Sequence, residues 1–546
     1  MGEDQTYWAK KLGRRLSRRE AVGLALRVGM SVGGLSLLGC AAAPAATPTK
    51  APTTPKPGVT PAAKPVYGGT LRLAIGAMPG EDPARSLSGA FDHIANGQMY
   101  NNLIFLDEKA RLRPELAISW ETPEPTKVVF KLRQGVKFHD GGDFNASVGK
   151  VNYDRQLSPD TKAGSRRDLE LAVQSVQAVD ESTLMYVLKA PSASFLVNTM
   201  ADKAGAMVSP AAVEKFKNDL TQNGVGTGPF QHKAWLSGER QEMVRFDGYW
   251  QKGLPYLDGI STMVVPEETT RKIMLQTGGV DFAHDLSVTT LDELKGSPQL
   301  EVQSTPAMGI RGIQMNMEKP PFDKKAVRQA IAYAIDRQAI AQSVYGGKFQ
   351  PAEGTFGPPY WFYGKVKGYS LDLEKARTKL AEGGYPTGFE VTAIIRSDYP
   401  DLMPVAEAIQ AMLSKIGVRI KIQSMEQAKY ANLWKQGDYD MVIGRTSTGA
   451  DPQAYVFWYL HPESTYKGAK VSPEAWQLIL KADQTYDQEE RGKLYSEVDK
   501  YLTEDVVGFM TIVYNSTRLA YNKRLKNYIP WFNDNRWNFR EVWIQT

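Results

Sequence analysis

Between residues 371 and 444 apolar segments alternate between two spacings, and this constrains the fold more than any other feature. Residues 372–382 have helical periodicity and stop at Gly383-Gly384. Phe389-Glu-Val-Thr-Ala-Ile-Ile395 is strand-like. A helix over 402–416 tolerates Pro404 in its first turn and ends at Gly417. A strand over 418–422, a helix over 426–436 ending at Gly437, and a strand over 439–444 follow. Helix and strand in strict alternation imply a parallel sheet with right-handed crossovers. Ligands in such sheets sit beyond the carboxyl ends of the strands. The loop carrying Arg396, Ser397 and Asp398 and the loop carrying Arg445, Thr446, Ser447 and Thr448 therefore share one sheet edge.

The rest of the chain is less regular. Gly69-Thr-Leu-Arg-Leu-Ala-Ile75 alternates and reads as a first strand. Residues 127–133 and 135–138 suggest a hairpin around Gln134-Gly135, and 171–188 a second across Asp180-Glu181, so 107–226 is expected to be rich in hairpins. A helix is expected to start at Asp323 as its cap, carrying Ala326, Val327, Ala330, Ile331, Ala334 and Ile335. Another is expected near Asp336.

The amino-terminal segment is of a different kind. Residues 1–39 hold seven basic and three acidic groups, so +4 of the formal +6 lies there and the other 507 residues carry +2. That balance argues against nucleic acid, which wants a clustered basic field. Basic residues followed by the mild apolar stretch Ala21–Leu38 read as a signal peptide over 1–39. Ser17-Arg18-Arg19-Glu20 resembles a twin-arginine export signal, with the general route as the alternative. The uninterrupted run Val28–Leu38 has 11 residues, short of the ~20 a membrane span needs. It ends in Leu37-Leu38-Gly39-Cys40. This resembles a bacterial lipobox and makes Cys40 the expected lipidation site. Seven prolines in Ala41–Pro65 make residues 40–65 an extended tether reaching up to roughly 80 Å. No later run is long and apolar enough to span, so a soluble body is expected.

Catalytic signatures are missing. There is no Gly-x-Ser-x-Gly elbow, no Walker loop and no histidine pair at metal spacing, and Gly224-Val-Gly-Thr-Gly228 runs into Pro229. Cys40 is the one cysteine, which excludes a disulfide scaffold and Cys-based metal sites. No enzyme activity, cofactor or metal is expected. Trp434, Trp458 and Trp476 are open to a core role or to lining a cleft.

A family resemblance rests on motifs in order: Tyr67-Gly-Gly-Thr-Leu-Arg72, Leu112-Arg-Pro-Glu-Leu-Ala-Ile-Ser-Trp120, Phe130-Lys-Leu-Arg-Gln-Gly-Val-Lys-Phe-His-Asp-Gly141 with Phe144-Asn-Ala146, Gly226-Thr-Gly-Pro-Phe230, Tyr249-Trp250, Tyr256-Leu-Asp-Gly259, and Pro321 to Arg337. From Tyr67 to Thr546 the chain resembles the peptide/nickel class, family 5, of solute-binding lipoproteins that serve ABC importers. The resemblance implies an α/β, two-lobed periplasmic-binding-protein-like clamshell of three domains. Domain I would comprise 66–106, 227–315 and 507–546, domain II 107–226, and domain III 316–506. It implies a monomer that closes on a peptide, an oligosaccharide, an organic acid or a chelated metal and passes it to a permease complex. A lipid anchor would hold it to the outer face of the cytoplasmic membrane. A secreted hydrolase or a structural lipoprotein is the alternative.

In dipeptide-binding relatives an arginine after a domain III strand grips the peptide carboxylate, and Arg396 matches it. An aspartate four residues before the proline of an Asp-Pro pair takes the amine, with a tryptophan three residues ahead. Counting back from Asp451-Pro452 puts Thr448 at the aspartate position and Arg445 at the tryptophan position. A hydroxyl cannot neutralise a buried ammonium. Either Asp451 takes the amine, or the ligand has no free α-amine there. Trp458, Met78 and Tyr514 complete the expected ligand-binding set.

Overall fold

The computed structural model describes residues 64–85, 92–364, 366–447, 449–462, 464, 466–531 and 537–545. Cys40, the leader and the tether up to residue 63 lie outside the described residues. The strands that matter are β1 (Thr70–Ile75), β2 (Ala117–Glu124), β3 (Lys127–Leu132), β4 (Val173–Asp180), β5 (Thr183–Leu188), β6 (Phe230–Leu236), β7 (Arg240–Arg245), β8 (Gly259–Val264), β9 (Phe282–His284), β10 (Leu300–Met315), β11 (Glu390–Arg396), β12 (Arg419–Met425), β13 (Met441–Thr446) and β14 (Phe509–Asn522). The helices are α1 (Lys325–Ala334), α2 (Arg337–Tyr345), α3 (Leu373–Glu382), α4 (Leu402–Ser414), α5 (Gln427–Gln436) and α6 (Pro452–Leu460).

Ten of these strands form one mixed sheet in the order β12-β11-β13-β10-β14-β9-β1-β8-β7-β6. The alternation at 371–444 builds one end of it. β11 pairs parallel to both β12 and β13. Both faces are covered: Ala393, Ile395, Met441 and Ile443 pack with α1 and α4 on one face, while Ile394 and Val442 pack with Tyr430, Trp434 and Tyr455 on the other. Continuous apolar strands are what such burial demands. β13 then pairs antiparallel to β10, which makes the sheet mixed.

β10 and β14 are long enough to serve both ends of the sheet. Leu300–Pro306 pairs with Ser516–Asn522 beside β9, and Ile310–Gln314 pairs with Phe509–Tyr514 beside β13. The register breaks between Pro306 and Ile310. Gly309 sits there at φ +136°, and a Cβ would lie 3.2 Å from the Thr446 carbonyl oxygen. Only glycine takes that backbone freely. The two strands are thus the double connection between two lobes of a clamshell, one built on β1, β8 and β9, the other on β11, β12 and β13.

β2-β3-β5-β4 form a separate antiparallel sheet. The expected 171–188 hairpin is β4 and β5, closing at Asp180 and Thr183. The hairpin around Gln134-Gly135 does not form. β3 pairs with β2, which precedes it, and with β5. Val136 and Phe138 alternate with polar residues because both are buried in this sheet's core within a bend closed by the Phe138 N–H donating to the Gly142 carbonyl.

Two capping expectations part ways. Asp336 caps α2 by accepting from the Ala339 N–H at 2.9 Å. Asp323 does not cap α1: the cap position is Lys324, with no side-chain cap bond. The chain first makes a turn whose Phe322 and Asp323 carbonyls accept from Arg328 Nη1.

Candidate functional site

Because β11 and β13 run parallel, their carboxyl ends reach one sheet edge. Arg396 is the last residue of β11 and Arg445 lies one residue before the end of β13. Arg396 donates from Nε to Asp398 Oδ1 at 2.9 Å and from Nη2 to Oδ2 at 2.5 Å. Its guanidinium lies 4.3 Å from the centre of the Tyr399 ring, and that of Arg445 lies 5.1 Å from the same ring. The negative face of the phenol ring attracts both guanidiniums and so brings two cations together.

Arg445 also reaches the other lobe. Its Nη1 donates to Asp285 Oδ1 and Oδ2 at 3.2 and 3.3 Å. Asp285 follows β9 directly and has φ +54°, a backbone that aspartate tolerates better than most residues. Arg518 Nη2, from β14, donates to Asp285 Oδ1 at 2.6 Å. Burial pushes the Asp285 carboxyl up, but Arg445 and Arg518 outweigh it and hold the group far below the usual carboxylate range.

A third arginine stands behind these. Arg311 is opposite Arg445 in the β10–β13 register and is fully buried. Its Nε donates to Asp401 Oδ2 at 2.8 Å and its Nη1 to Asn515 Oδ1 at 2.9 Å, while Nη2 has no hydrogen-bond partner. Tyr345 Oη donates to the same Asp401 oxygen at 3.0 Å. Burial raises the Asp401 carboxyl, and Arg311 and Arg518 overcome it to hold it at about 2. Arg311 and Arg518 both lie against the Phe349 ring, at 5.4 and 5.5 Å. Among the described residues, four arginines (311, 396, 445, 518) thus face three aspartates (285, 398, 401), one more cation than anion in this group, with Arg271 on the Asp285 carbonyl and Glu268 on the Ser287 N–H adding one charge of each sign beside it.

The other expected residues are placed differently. Thr448 lies outside the described residues. Asp451 caps α6, accepting from the Gln453 N–H at 3.0 Å. It is 2% exposed, and Arg491 binds both its oxygens, Nη2 to Oδ1 at 2.8 Å and Nη1 to Oδ2. Trp458, on α6, donates from Nε1 to Asp168 Oδ2 in the other lobe at 3.4 Å. Met78 is half-buried in the loop after β1. Tyr514 is buried in β14, where its hydroxyl accepts from the Glu353 and Gly354 N–H groups at 3.2 and 3.0 Å and donates to the Gly354 carbonyl at 3.1 Å. Of the expected set, Arg396 and Arg445 share a ring; Asp451 and Tyr514 are engaged in holding helix and loop.

Reasoning from the sequence misses Asp285, Arg311, Arg518 and Tyr399. The one local signal is Arg311, a charge in the middle of the apolar run Met308–Met315.

Further contacts join the lobes away from the hinge strands. Arg167 Nη2 lies 3.3 Å from His461 Nδ1, the Ser194 N–H donates to Asp483 Oδ1 at 3.2 Å, and Tyr486 Oη donates to the Pro125 carbonyl at 2.8 Å. Burial pushes Asp168 up to about 6, against the lowering hydrogen bond from Trp458 and the charge of Arg167. Among the described residues no group of His, Cys, Asp and Glu side chains could hold a metal ion, and no helix is long and apolar enough to cross a membrane.

Residues 111–467 match the family model for bacterial extracellular solute-binding proteins, family 5. The chain is 36% identical over 333 residues to the glutathione-binding protein GsiB of Salmonella typhimurium, a match covering 61% of this chain and 65% of that protein. Two solved structures superpose on 88% of this chain and 99% of their own. The periplasmic binding protein DppA from Helicobacter pylori, in complex with the peptide STSA, is 26% identical with a TM-score of 0.78. The binding protein AgaA from A. tumefaciens R10, in complex with agropinic acid, is 27% identical with a TM-score of 0.79. The two-lobed body joined by paired hinge strands superposes on these proteins over most of its length, and the chain belongs to family 5 of the bacterial extracellular solute-binding proteins.

Proposed function

We propose that the protein captures a small acidic ligand between its lobes and delivers it to the permease of an ABC importer. The excess positive charge of the Arg311, Arg396, Arg445 and Arg518 cluster carries this reading. A closed, poorly hydrated cleft makes unbalanced charge costly, and a ligand carboxylate restores the balance through charge-assisted bonds to planar guanidiniums. Asp451 is already neutralised by Arg491, so no carboxylate at that position is available for a ligand ammonium. Glutathione and agropinic acid, named for relatives, both bear carboxylates, which supports a ligand of this class over a neutral sugar.

The proposal extends to organisation. The lobes correspond to a discontinuous domain I (66–106, 227–315, 507–546) with domain II (107–226), and to domain III (316–506). The leader exports the chain, Cys40 carries the lipid, and the body works as a monomer on the outer face of the membrane without catalysing a reaction. Calorimetry against glutathione, agropinic acid, free dipeptides and N-acetylated dipeptides tests the ligand class. Acids and blocked peptides are expected to bind more tightly than free dipeptides. Sub-micromolar binding of free dipeptides, weakened by N-acetylation, would overturn the reading.

A further inference from the structure

We infer that Asp285 is a built-in counter-anion: its carboxylate lies between Arg445 and Arg518, at the place that an acidic group of the ligand takes on binding. This rests on the acidic-ligand reading above and adds the residue that sets the charge the site accepts.

Asp285 belongs to the lobe built on β1, β8 and β9, Arg445 to the lobe built on β11 and β13, and Arg518 to a hinge strand. The carboxylate accepts from both arginines. It is therefore the one acidic group of the cluster that ties lobe to lobe; Asp398 and Asp401 pair with Arg396 and Arg311 of their own lobe or hinge. Its side chain is 17% exposed, more open than Arg445 at 9% or Arg518 at 6%. Its bonds to Arg445, at 3.2 and 3.3 Å, are longer than the 2.7–2.9 Å usual for such charged pairs, so that side of the carboxylate is the weaker one. Asp285 holds this position on a left-handed backbone, φ +54°, a conformation the protein sustains at some cost.

The consequence is an exchange of partners. With Asp285 in place the cluster carries one surplus positive charge; if a ligand carboxylate displaces Asp285 from Arg445, the arginine keeps an anionic partner throughout and the aspartate turns outward to water. Without Asp285 the two guanidiniums lose the carboxylate they share, and the negative charge of an acidic ligand counts for more. The residue thus keeps the empty protein closed and moderates its preference for acids.

The test uses the full-length protein in detergent and its Asp285→Asn variant, which keeps the side-chain shape and the tolerance for this backbone. Hydrogen–deuterium exchange without ligand is expected to be at least fivefold faster over 285–291 and 445–451 in the variant, with Asp285→Glu restoring protection. Calorimetry with glutathione and its diethyl ester as probes is expected to show the acid-to-ester affinity ratio rising about tenfold in the variant. Unchanged exchange in Asp285→Asn, or equal weakening of acid and ester, would overturn the inference. Failure of both proteins to bind glutathione counts against glutathione as a ligand, and the exchange comparison then decides the role of Asp285 by itself.

Discussion

Arg396 and Asp451 are both charged residues close to the carboxyl ends of β11 and β13, and their surroundings differ. Arg396 is held by one neighbour in its own turn and stacks on a ring at the sheet edge. Replacing it by alanine should leave the melting temperature nearly unchanged and cost on the order of 2–5 kcal/mol of affinity for an acidic ligand, because a buried ligand charge loses its partner. Calorimetry reads this directly. Asp451→Ala takes from Arg491, which is 6% exposed, its bidentate partner and leaves it Asp483 at 3.6 Å, and it removes a helix cap. It should destabilise the fold by about 3–5 kcal/mol, seen in denaturant unfolding, with the affinity per folded molecule retained. Arg396 was legible in the sequence because strand ends can be located from periodicity. Asp285 was not: its partners Arg445 and Arg518 are 160 and 233 residues away along the chain, and no local pattern encodes a contact of that separation.

Among the elements, the alternating segment 371–444 was readable because each helix is followed within three residues by a glycine and the strands carry apolar residues, β11 and β13 on both faces and the edge strand β12 on one. The strand boundary at 441–446 shifted by two residues relative to the sequence reading, which moves Arg445 from the loop into the strand. β10 was not readable. Its 16 residues contain Pro306 and Gly309, both of which argue against a continuous strand until the register break at the hinge is known. Gly309 is the position where the hinge can be tested. Gly309→Ala forces a Cβ into a φ of +136° and against the Thr446 carbonyl, and should cost about 1–3 kcal/mol. A lowered melting temperature, with a changed rate of ligand-induced fluorescence change, is the expected result; a silent substitution would show that the break carries no conformational demand.

At the scale of the whole molecule, closure should be linked to pH. In the closed form Asp168 titrates at about 6, above its ordinary 3.8, so the closed form binds its proton more tightly than an open form in which the group faces water. The contribution is fully present below 3.8 and is lost as pH rises through 6, and is worth up to about 3 kcal/mol. Closure, followed by small-angle scattering in the absence of ligand, should therefore become more complete as pH falls from 7 to 4. Asp168→Asn should flatten that dependence. Arg167 and Trp458 face Asp168, and Arg167 also meets His461, so the variant is read against Arg167→Gln to separate the carboxylate from its neighbours.

What the cleft carries tests the account most directly. Native mass spectrometry of the protein purified gently from its own cells should reveal a bound small molecule with at least one carboxylate. The same preparation of Arg396→Ala with Arg445→Ala, folded by circular dichroism, should come off the column empty. Recovery of a neutral sugar or a cationic solute, or of the same acid on the doubly substituted protein, would contradict an arginine cluster that selects the ligand by its negative charge.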